Sequence, residues 1–497
     1  MGKSYYEEIC AGQDVRANLI ALKAELKDEK NKRALAYKLE GNFSVFYTLL
    51  NDGDPKVRKN AALVLGEMET EDVLPFLFTA YDKEETLFVR PSYLEAMEKL
   101  DVSGYVDKLQ EQLQWIDKLP QTDEKLKHLQ KERQALQKLI LRYNKPSHKY
   151  TGWDNREDVI LITNRAQKQL LADACQTAAD EVKLLGAGVR LKGADLDEVL
   201  KNRLWTEMLF PLPMSLKLQG DGHEIGRLLA GSGLDLFLDE RHHGKGAWLY
   251  RLDVTGAMAP EKKTLLVRRI SEALDAGSAG RFSNNLGNYE LEIRLVQKKD
   301  QSFMPLLKLH TIDDHRFAYR RESIAASITP ANAALIAAIA QPYLKEGAQV
   351  LDPFCGVGTM LIERDVLCKT GAMYGLDTFG EAIEKARRNT AVIGKKINYI
   401  NRDFFDFTHD YSFDEIITDM PSQGKTRTRQ ELAEFYTDFL DRAPVILSQS
   451  AILVIYTPDP ELLKAAVRQD VRYRIKEEKI INERIDTRVL ILSYDRS

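Results

Sequence analysis

One stretch in the C-terminal third constrains the fold most strongly: GAQVLDPFCGVGTMLIERDVL, residues 347–367. An apolar strand at about 349–351 runs into Asp352, a loop with Gly356 and Gly358, and then a helix. Glycine lets the backbone approach a ligand without a Cβ clash, and open α/β sheets bind ligands at the carboxyl edge of their strands. The stretch therefore predicts a ligand site at the carboxyl edge of a parallel sheet.

Two details narrow the class of ligand. The dinucleotide motif requires Gly or Ala three residues after Gly358, and Leu361 stands there. An acid at the end of the first strand, Asp352, would repel a pyrophosphate but suits a ligand that carries an amine and a sulfonium. The loop, with its helix opening near Thr359, therefore favours S-adenosylmethionine over a dinucleotide.

Further aspartates follow the next predicted strands. Asp377 ends the strand in AMYGLDTFG, 19 residues after Gly358, where an acid accepts hydrogen bonds from ribose hydroxyls. In INYINRDFFDF, Asp403 is placed to accept from an adenine amino group, and Phe404 to pack on its ring. Asp419 ends the fourth strand, EIIT. A single aspartate is usually a turn former or a helix cap, but four at successive strand ends indicate a site.

These residues make the sequence similar to class I S-adenosylmethionine-dependent methyltransferases. The loop DPFCGVGT resembles that of the THUMP-associated RNA methyltransferases, and LGNYELEIRLVQ with LKLHTIDDHRFAYRRESIAASITPANAALI resembles their connection into the catalytic domain. The resemblance implies methyl transfer to the exocyclic amino group of guanine in tRNA or rRNA, with structured RNA as partner. The implied cofactor-binding residues are Asp352, Phe354, Gly356, Gly358, Thr359, Asp377, Asp403 and Phe404.

The fourth strand runs into Asp419-Met420-Pro421-Ser422, where the family has Asn/Asp-Pro-Pro-aromatic. The resemblance makes Asp419 and Pro421 the catalytic residues, since an acid and a stiff loop can hold a substrate amino group. Met420 and Ser422 depart from the pattern. The following Gly424-Lys425-Thr426 is not a Walker loop, because Asp419 occupies the position of its first glycine.

Substrate contacts are predicted at Ser422 and Lys425 in this loop and at Arg320 and Arg321 in the connecting segment. For the basic residues, a solvated face or an interdomain ion pair is the alternative. Cys355 lies in the cofactor loop, so packing is favoured over covalent catalysis.

Two other functions remain as alternatives. A methyltransferase fold that has lost catalysis and serves as an RNA-binding or assembly factor is suggested by Met420 and Ser422. Methylation of DNA adenine or of a protein amide uses related fourth-strand loops, but the THUMP-like upstream region argues against both.

The fold class predicted is multidomain: an all-α HEAT-like N-terminal module, an α+β THUMP-like middle domain, and a C-terminal α/β Rossmann-like methyltransferase with a terminal antiparallel hairpin. The predicted domains are 1–145, 156–320 and 325–497. DPKVRKNAALVLG resembles a HEAT repeat and predicts a helix from Pro55, and TLFVRPSYLEAMEKL echoes it. Such repeats expose a surface for a protein or RNA partner. In the middle domain a helix is predicted at about 166–183.

Composition argues against several other classes of protein. The 497 residues carry a formal charge of −4, which argues against a general polyanion-coating protein. No apolar run approaches a membrane span, and the first residues contain no signal core. The four cysteines form no CxxC pair, which favours a cytoplasmic setting. The His242-His243 pair and His310 with His315 lack a convincing ligand set, so no metal is expected.

Overall fold

The computed structural model describes residues 4–118, 123–143, 147–214, 216–421 and 428–496. The chain forms two compact units, each built from two separate segments. Unit 1 comprises Met1–Lys149 with Met214–Phe303, and unit 2 comprises Tyr150–Pro213 with Met304–Ser497. The division into three consecutive domains stays a prediction.

The first segment of unit 1 is helical. Its elements are α1 (Tyr5–Cys10), α2 (Val15–Glu25), α3 (Glu29–Leu39), α4 (Ser44–Leu49), α5 (Pro55–Glu67), α6 (Leu74–Lys83), α7 (Arg90–Met97), α8 (Val106–Lys118), α9 (Asp123–Ile140) and then strand β1 (Ser147–Tyr150). The predicted start of α5 is confirmed: the Asp54 carboxylate accepts from the Lys56 amide at 2.8 Å and caps the helix ahead of Pro55.

Two arginines, 32 residues apart, are held in the same way in these helices. Arg58 of α5 donates to Glu84 at 2.7 Å, and Arg90 of α7 donates to Glu132 at 2.7 Å. Both glutamates are buried, so each pair stabilises only because both charges are matched. The recurring Val-Arg in the sequence thus marks equivalent positions of successive helical repeats.

The next segment, in unit 2, is an antiparallel sheet with two short helices. It contains β2 (Glu157–Thr163), α10 (Lys168–Ala174), β3 (Ala179–Leu184), β4 (Gly188–Ala194), α11 (Leu196–Lys201) and β5 (Trp205–Pro211). The strand order is β3-β4-β2-β5. The predicted helix at about 166–183 is wrong beyond Ala174, because residues 179–184 pair antiparallel with β4 instead.

The second segment of unit 1 is α+β. It contains α12 (Gly222–Ala230), α13 (Leu234–Asp239), β6 (His242–Lys245), β7 (Trp248–Thr255), α14 (Pro260–Gly277), β8 (Phe282–Asn284) and β9 (Leu291–Gln297). Strand β7 lies between β8 and β9 and is parallel to both. Helices α12 and α14 pack so closely that a Cβ on Gly226 would lie 2.5 Å from the Ile270 carbonyl oxygen.

The C-terminal segment of unit 2 opens with β10 (Phe303–Leu309), which pairs antiparallel with β5. Alternating elements follow: α15 (Pro330–Ala340), β11 (Val350–Asp352), α16 (Thr359–Leu367), β12 (Met373–Asp377), α17 (Gly380–Val392), β13 (Asn398–Asn401), β14 (Phe413–Asp419), α18 (Arg429–Arg442), β15 (Leu447–Thr457), α19 (Pro460–Gln469), β16 (Tyr473–Asn482) and β17 (Thr487–Asp495).

These strands form a seven-stranded sheet in the order β13-β12-β11-β14-β15-β17-β16. The first five run parallel, whereas β17 is antiparallel to both β15 and β16. The predicted terminal hairpin and mixed sheet are confirmed.

Each face of this sheet carries its own apolar core, because consecutive strand residues point to opposite faces. Val350 packs with residues of α15, α16 and α17, whereas Leu351 packs with residues of α18 and α19. Both strand residues are fully buried. The near-continuous apolar strands of the sequence follow from this two-sided burial.

Across the part of the chain that the structure describes, no helix is both long and apolar enough to cross a membrane.

Candidate functional site

The strand order reverses between β11 and β14, at the centre of the C-terminal sheet. The sheet extends from β11 through β12 to β13 on one side, and from β14 to β15 on the other. Open α/β sheets bind ligands in the crevice beyond the carboxyl ends of the strands at such a point. Asp352 is the last residue of β11 and Asp419 the last of β14, so both lie at this point.

Asp352 is almost completely buried, with 1% of its surface exposed. Its Oδ1 accepts from the Thr418 hydroxyl at 2.7 Å and from the Phe354 amide at 3.1 Å. Burial raises the pKa of Asp352 to about 8; the two hydrogen bonds oppose the shift, and the carboxylates of Asp419 and Asp377 add to it. Asp352 therefore joins β11, β14 and the loop between β11 and α16.

The loop between β11 and α16 depends on two glycines with positive φ, Gly356 at +51° and Gly358 at +82°. A Cβ on Gly358 would lie 2.1 Å from the Tyr399 hydroxyl oxygen, whereas nothing lies within 4 Å of a Cβ on Gly356. Gly358 is therefore required for packing, and the backbone at Gly356 faces open space. Thr359, 2% exposed, begins α16 directly after Gly358.

Asp377 holds this loop from the neighbouring strand. Its Oδ2 accepts from the Gly356 amide at 2.9 Å, and its Oδ1 accepts from the Phe379 amide at 2.8 Å. Asp403 follows β13, is exposed, and accepts from the Phe405 amide at 3.0 Å. The structure thus brings Asp352, Asp377 and the glycine loop into one connected group, with Asp403 at the next strand end.

An aromatic cluster lies beside this edge. Phe354 is half-buried, with its ring centroid 6.0 Å from Phe404 and 5.4 Å from Phe435. Phe404 itself is only 1% exposed and belongs to the core beneath α18. Its half-buried neighbour Phe405 lies 5.5 Å away. Phe354 and Phe405 are therefore better placed than Phe404 to present ring surface to a ligand.

Asp419 differs from the other acids. No hydrogen bond to its carboxylate comes from the described residues, yet burial raises its pKa to about 7. Its neighbour Met420 is buried in the core, and the Met420 amide donates to the Tyr456 carbonyl at 2.9 Å. The Pro421 carbonyl accepts from the Tyr436 hydroxyl at 3.4 Å. Ser422 and Lys425 lie outside the described residues.

The two predicted arginines differ in burial and in their contacts. Arg320 is partly buried, and its Nη1 donates to the Thr359 hydroxyl at the start of α16. Arg321 is exposed, and its backbone amide donates to Asn389 Oδ1 at 3.1 Å and to the Tyr319 carbonyl at 2.9 Å. Of the two, Arg320 is the one that contacts the glycine-loop helix.

Sequence reasoning missed three residues that position this site: Thr418, Asn389 and Tyr399. Asn389 of α17 is fully buried, accepts from the Glu322 amide at 2.9 Å, and donates to the Glu322 and Val357 carbonyls. It therefore links the connecting segment to the glycine loop. A polar residue on the inward face of an otherwise amphipathic helix was the available signal.

The remaining reactive groups do not form a second centre among the residues that are described. Cys355 is buried beside Gly375, and burial raises the pKa of its thiol, which suits packing. No group of three or more His, Cys, Asp or Glu side chains that could hold a metal ion occurs in the described ranges.

Comparison with known proteins places a methyltransferase domain on this fold. Residues 318–488 match the family model of the RMKL-like methyltransferase domain, and residues 43–115 match that of HEAT repeats. The HEAT-like repeat predicted from the sequence is thereby confirmed.

Two curated proteins share part of the sequence. The tRNA (guanine(10)-N2)-dimethyltransferase of Methanothermobacter thermautotrophicus is 31% identical over 136 residues, 27% of this chain and 39% of that enzyme. The uncharacterized protein MG259 of Mycoplasma genitalium is 33% identical over 99 residues, 20% of this chain and 22% of that protein. The chain thus spans well under half the length of either relative.

Two solved structures share the fold. TrmN from Thermus thermophilus aligns over 68% of this chain and 99% of its own, with 19% identity and a TM-score of 0.52. SMU.472, complexed with SAH, aligns over 69% of this chain and 99% of its own, with 13% identity and a TM-score of 0.53. The C-terminal sheet therefore has a methyltransferase-like α/β fold.

Proposed function

We propose that this protein is an RNA methyltransferase that uses S-adenosylmethionine to methylate a base exocyclic amino group, that of guanine in tRNA or rRNA. The observation that carries the proposal is Asp419, a half-buried acid to which no described residue donates a hydrogen bond, at the point where the strand order reverses. The partial identity to an archaeal tRNA guanine-N2 dimethyltransferase supports guanine as the target.

The residues present fit the cofactor. Gly356 leaves open space where backbone can approach a nucleoside, and Asp377 and Asp403 stand at adjacent strand ends where ribose and adenine groups require acceptors. When bound, S-adenosylmethionine supplies an electrophilic methyl group on a sulfonium.

Asp419 has a specific task in this reaction. An exocyclic amino nitrogen is a weak nucleophile because its lone pair is delocalised into the base. The Asp419 carboxylate and the Met420 carbonyl, to which no described residue donates, can accept the two N–H bonds and hold the nitrogen in line with the methyl group. Such positioning supplies up to about 7–11 kcal/mol.

The middle region is proposed as a THUMP-like RNA-binding domain that presents the substrate, and the HEAT-like helices as the surface for a further protein or RNA partner. The proposed location of the protein is the cytoplasm. Base stacking, worth about 1–3 kcal/mol per base, falls to Phe354 or Phe405, the half-buried rings of the aromatic cluster.

The test is incubation of the protein with total RNA and methyl-labelled S-adenosylmethionine, followed by nucleoside mass spectrometry. We expect N2-methylguanosine with the native protein, and a loss of about 100- to 1,000-fold in rate with Asp419→Ala, as for other single transition-state contacts. Calorimetry should show unchanged cofactor binding. An absence of incorporation would instead support an inactive RNA-binding scaffold, and incorporation that does not depend on Asp419 would reject the role proposed for this residue.

A further inference from the structure

Arg320 lies in the connecting segment between β10 and α15 and contacts the first residue of α16, directly after the glycine loop. Its Nη1 donates to the hydroxyl of Thr359, the first residue of α16, directly after Gly358. Thr359 is only 2% exposed, and Arg320 is partly buried. The guanidinium is therefore partly buried at the N-terminus of this helix.

The charge of Arg320 is not matched by an acid. No carboxylate in the described part of the chain lies within ion-pair distance of Arg320, and its Nε is buried without a hydrogen-bond acceptor. Neighbouring arginines differ: Arg203 pairs with Glu363 at 2.7 Å, and Arg388 pairs with Glu322 at 2.9 Å. A buried, unmatched guanidinium is costly unless an anion joins it.

The nearest acid along α16 does not neutralise Arg320. Glu363 lies one turn after Thr359, but its carboxylate receives two hydrogen bonds from Arg203, at 2.7 and 2.8 Å, and one from the Tyr319 hydroxyl at 2.6 Å. The N-terminus of α16 adds a partial positive charge of its own. Arg320 and the helix end together therefore favour an anionic ligand.

We infer that Arg320, with the N-terminus of α16, binds the α-carboxylate of the cofactor. This inference rests on the proposed function and deepens it. The carboxylate is the single anionic group of S-adenosylmethionine, since the adenosine is neutral and the sulfonium and the amine are cationic. An RNA phosphate is disfavoured, because the Thr359 contact and the Nε atom are both buried.

The inference makes Arg320 a specificity residue. It selects a nucleoside that carries an intact amino-acid carboxylate over one that lacks it, by a charge-assisted hydrogen bond. Truncation should therefore weaken only ligands that possess the carboxylate. A purely structural role would weaken all ligands alike.

The test is calorimetric titration of the full chain with S-adenosylmethionine and with its decarboxylated derivative. For Arg320→Met we expect about 10- to 100-fold weaker binding of S-adenosylmethionine, the range for a lost hydrogen bond to a charged group. Binding of the decarboxylated derivative should change by less than about threefold. Arg320→Lys, which keeps the charge, should recover part of the loss.

The matched control is Arg388→Met, which removes an exposed guanidinium paired with Glu322 and should alter neither affinity. Equal weakening of both ligands by Arg320→Met, or no weakening of either, would overturn the inference while leaving the proposed function standing. So would unchanged cofactor binding with weaker RNA binding, which would assign Arg320 to a phosphate. Failure of the native protein to bind either ligand would reject the cofactor itself, and the inference with it.

Discussion

Asp352 and Asp419 end adjacent strands, yet they serve different purposes. Asp352 accepts two hydrogen bonds from its own chain, so it braces the edge of the sheet. Asp419 accepts none from the described residues, and its pKa is raised to about 7 by burial. The acid with unused acceptors is the one suited to a substrate amino group, and the ionisation of each acid can be tested separately.

The pH dependence of methyl transfer should report Asp419. The ionised carboxylate of Asp419 is the form that accepts a hydrogen bond from the substrate amino group most strongly. We therefore expect kcat/KM to rise with pH up to about 7 and to level off above it. Asp419→Asn keeps a carbonyl acceptor but cannot ionise, so its profile should be flat across that range at a lower rate. A profile unchanged in Asp419→Asn would assign the ionisation to another group.

Stability should depend on pH through Asp352. An unfolded aspartate has a pKa of about 3.9, whereas burial raises that of folded Asp352 to about 8. Between these values the folded protein retains a proton that the unfolded chain has released, so stability falls as pH rises, by up to about 1.4 kcal/mol per pH unit.

Urea unfolding of the native protein and of Asp352→Asn at pH 5, 6.5 and 8 tests this expectation. The stability of Asp352→Asn relative to the native protein should increase with pH, since asparagine carries no charge to bury. The exposed Asp406→Asn serves as control. Parallel pH dependences would show that Asp352 is not protonated in the folded state.

At the scale of elements, the two loop glycines have different roles: Gly358 is needed for packing, and Gly356 leaves room for a ligand. Both adopt positive φ, which costs a residue with a Cβ about 1–2 kcal/mol. A Cβ on Gly358 additionally meets the Tyr399 hydroxyl, whereas a Cβ on Gly356 meets nothing.

Gly358→Ala should therefore lower the free energy of unfolding by more than Gly356→Ala, because Tyr399 must move. Gly356→Ala should lose about 1–2 kcal/mol of stability and also weaken cofactor binding, since its methyl group enters the space proposed for the nucleoside. Urea unfolding and calorimetry measure the two effects. Equal unfolding costs, or unchanged cofactor affinity in Gly356→Ala, would contradict this division.

Helix α17 holds the connecting segment in place through Asn389. Asn389→Ala leaves the Glu322 amide without its acceptor, and an unsatisfied buried group costs about 1–3 kcal/mol. We expect a lower midpoint of thermal unfolding and weaker cofactor binding, because Arg320 adjoins this segment. Asn398→Ala, which removes one half-buried hydrogen bond, is the control and should have the smaller effect on both.

For the molecule as a whole, unit 2 is assembled from segments distant in sequence. Arg203, between α11 and β5, donates to Glu363 in α16. Glu363 has no exposed side-chain surface, and Arg203 has 21%. The antiparallel sheet of residues 150–213 and the C-terminal sheet should therefore unfold as one cooperative unit.

A double-mutant cycle tests that coupling. Glu363→Gln or Arg203→Met alone should cost about 3 kcal/mol, since each leaves a charge buried without its partner. The double variant should cost less than the sum of the single ones. The exposed pair Arg156–Asp180 provides a control expected to be worth no more than about 1 kcal/mol. Additive costs at Arg203 and Glu363 would mean that the two segments are not coupled there.

Local pattern predicted helices well where capping and periodicity agreed, as at Asp54-Pro55, and it predicted the parallel strands from their apolar runs. It was wrong at 179–184, where helix-compatible residues form an edge strand. Pairing with β4 supplies their backbone hydrogen bonds, and no local signal encodes such a partner, because strand propensity depends on the neighbouring strand.

The sequence by itself determined which strands end in acids and where the chain turns on glycine, since both depend on residue type and spacing. Only the tertiary structure decided that Asp352 accepts hydrogen bonds from the protein itself, whereas the Asp419 carboxylate accepts none from the described residues and can bind a ligand. It also decided that Phe404 belongs to the core, that Asn389 binds the connecting segment, and that no carboxylate in the described ranges pairs with Arg320. Burial and pairing are properties of distant residues brought together, so a linear pattern cannot specify them.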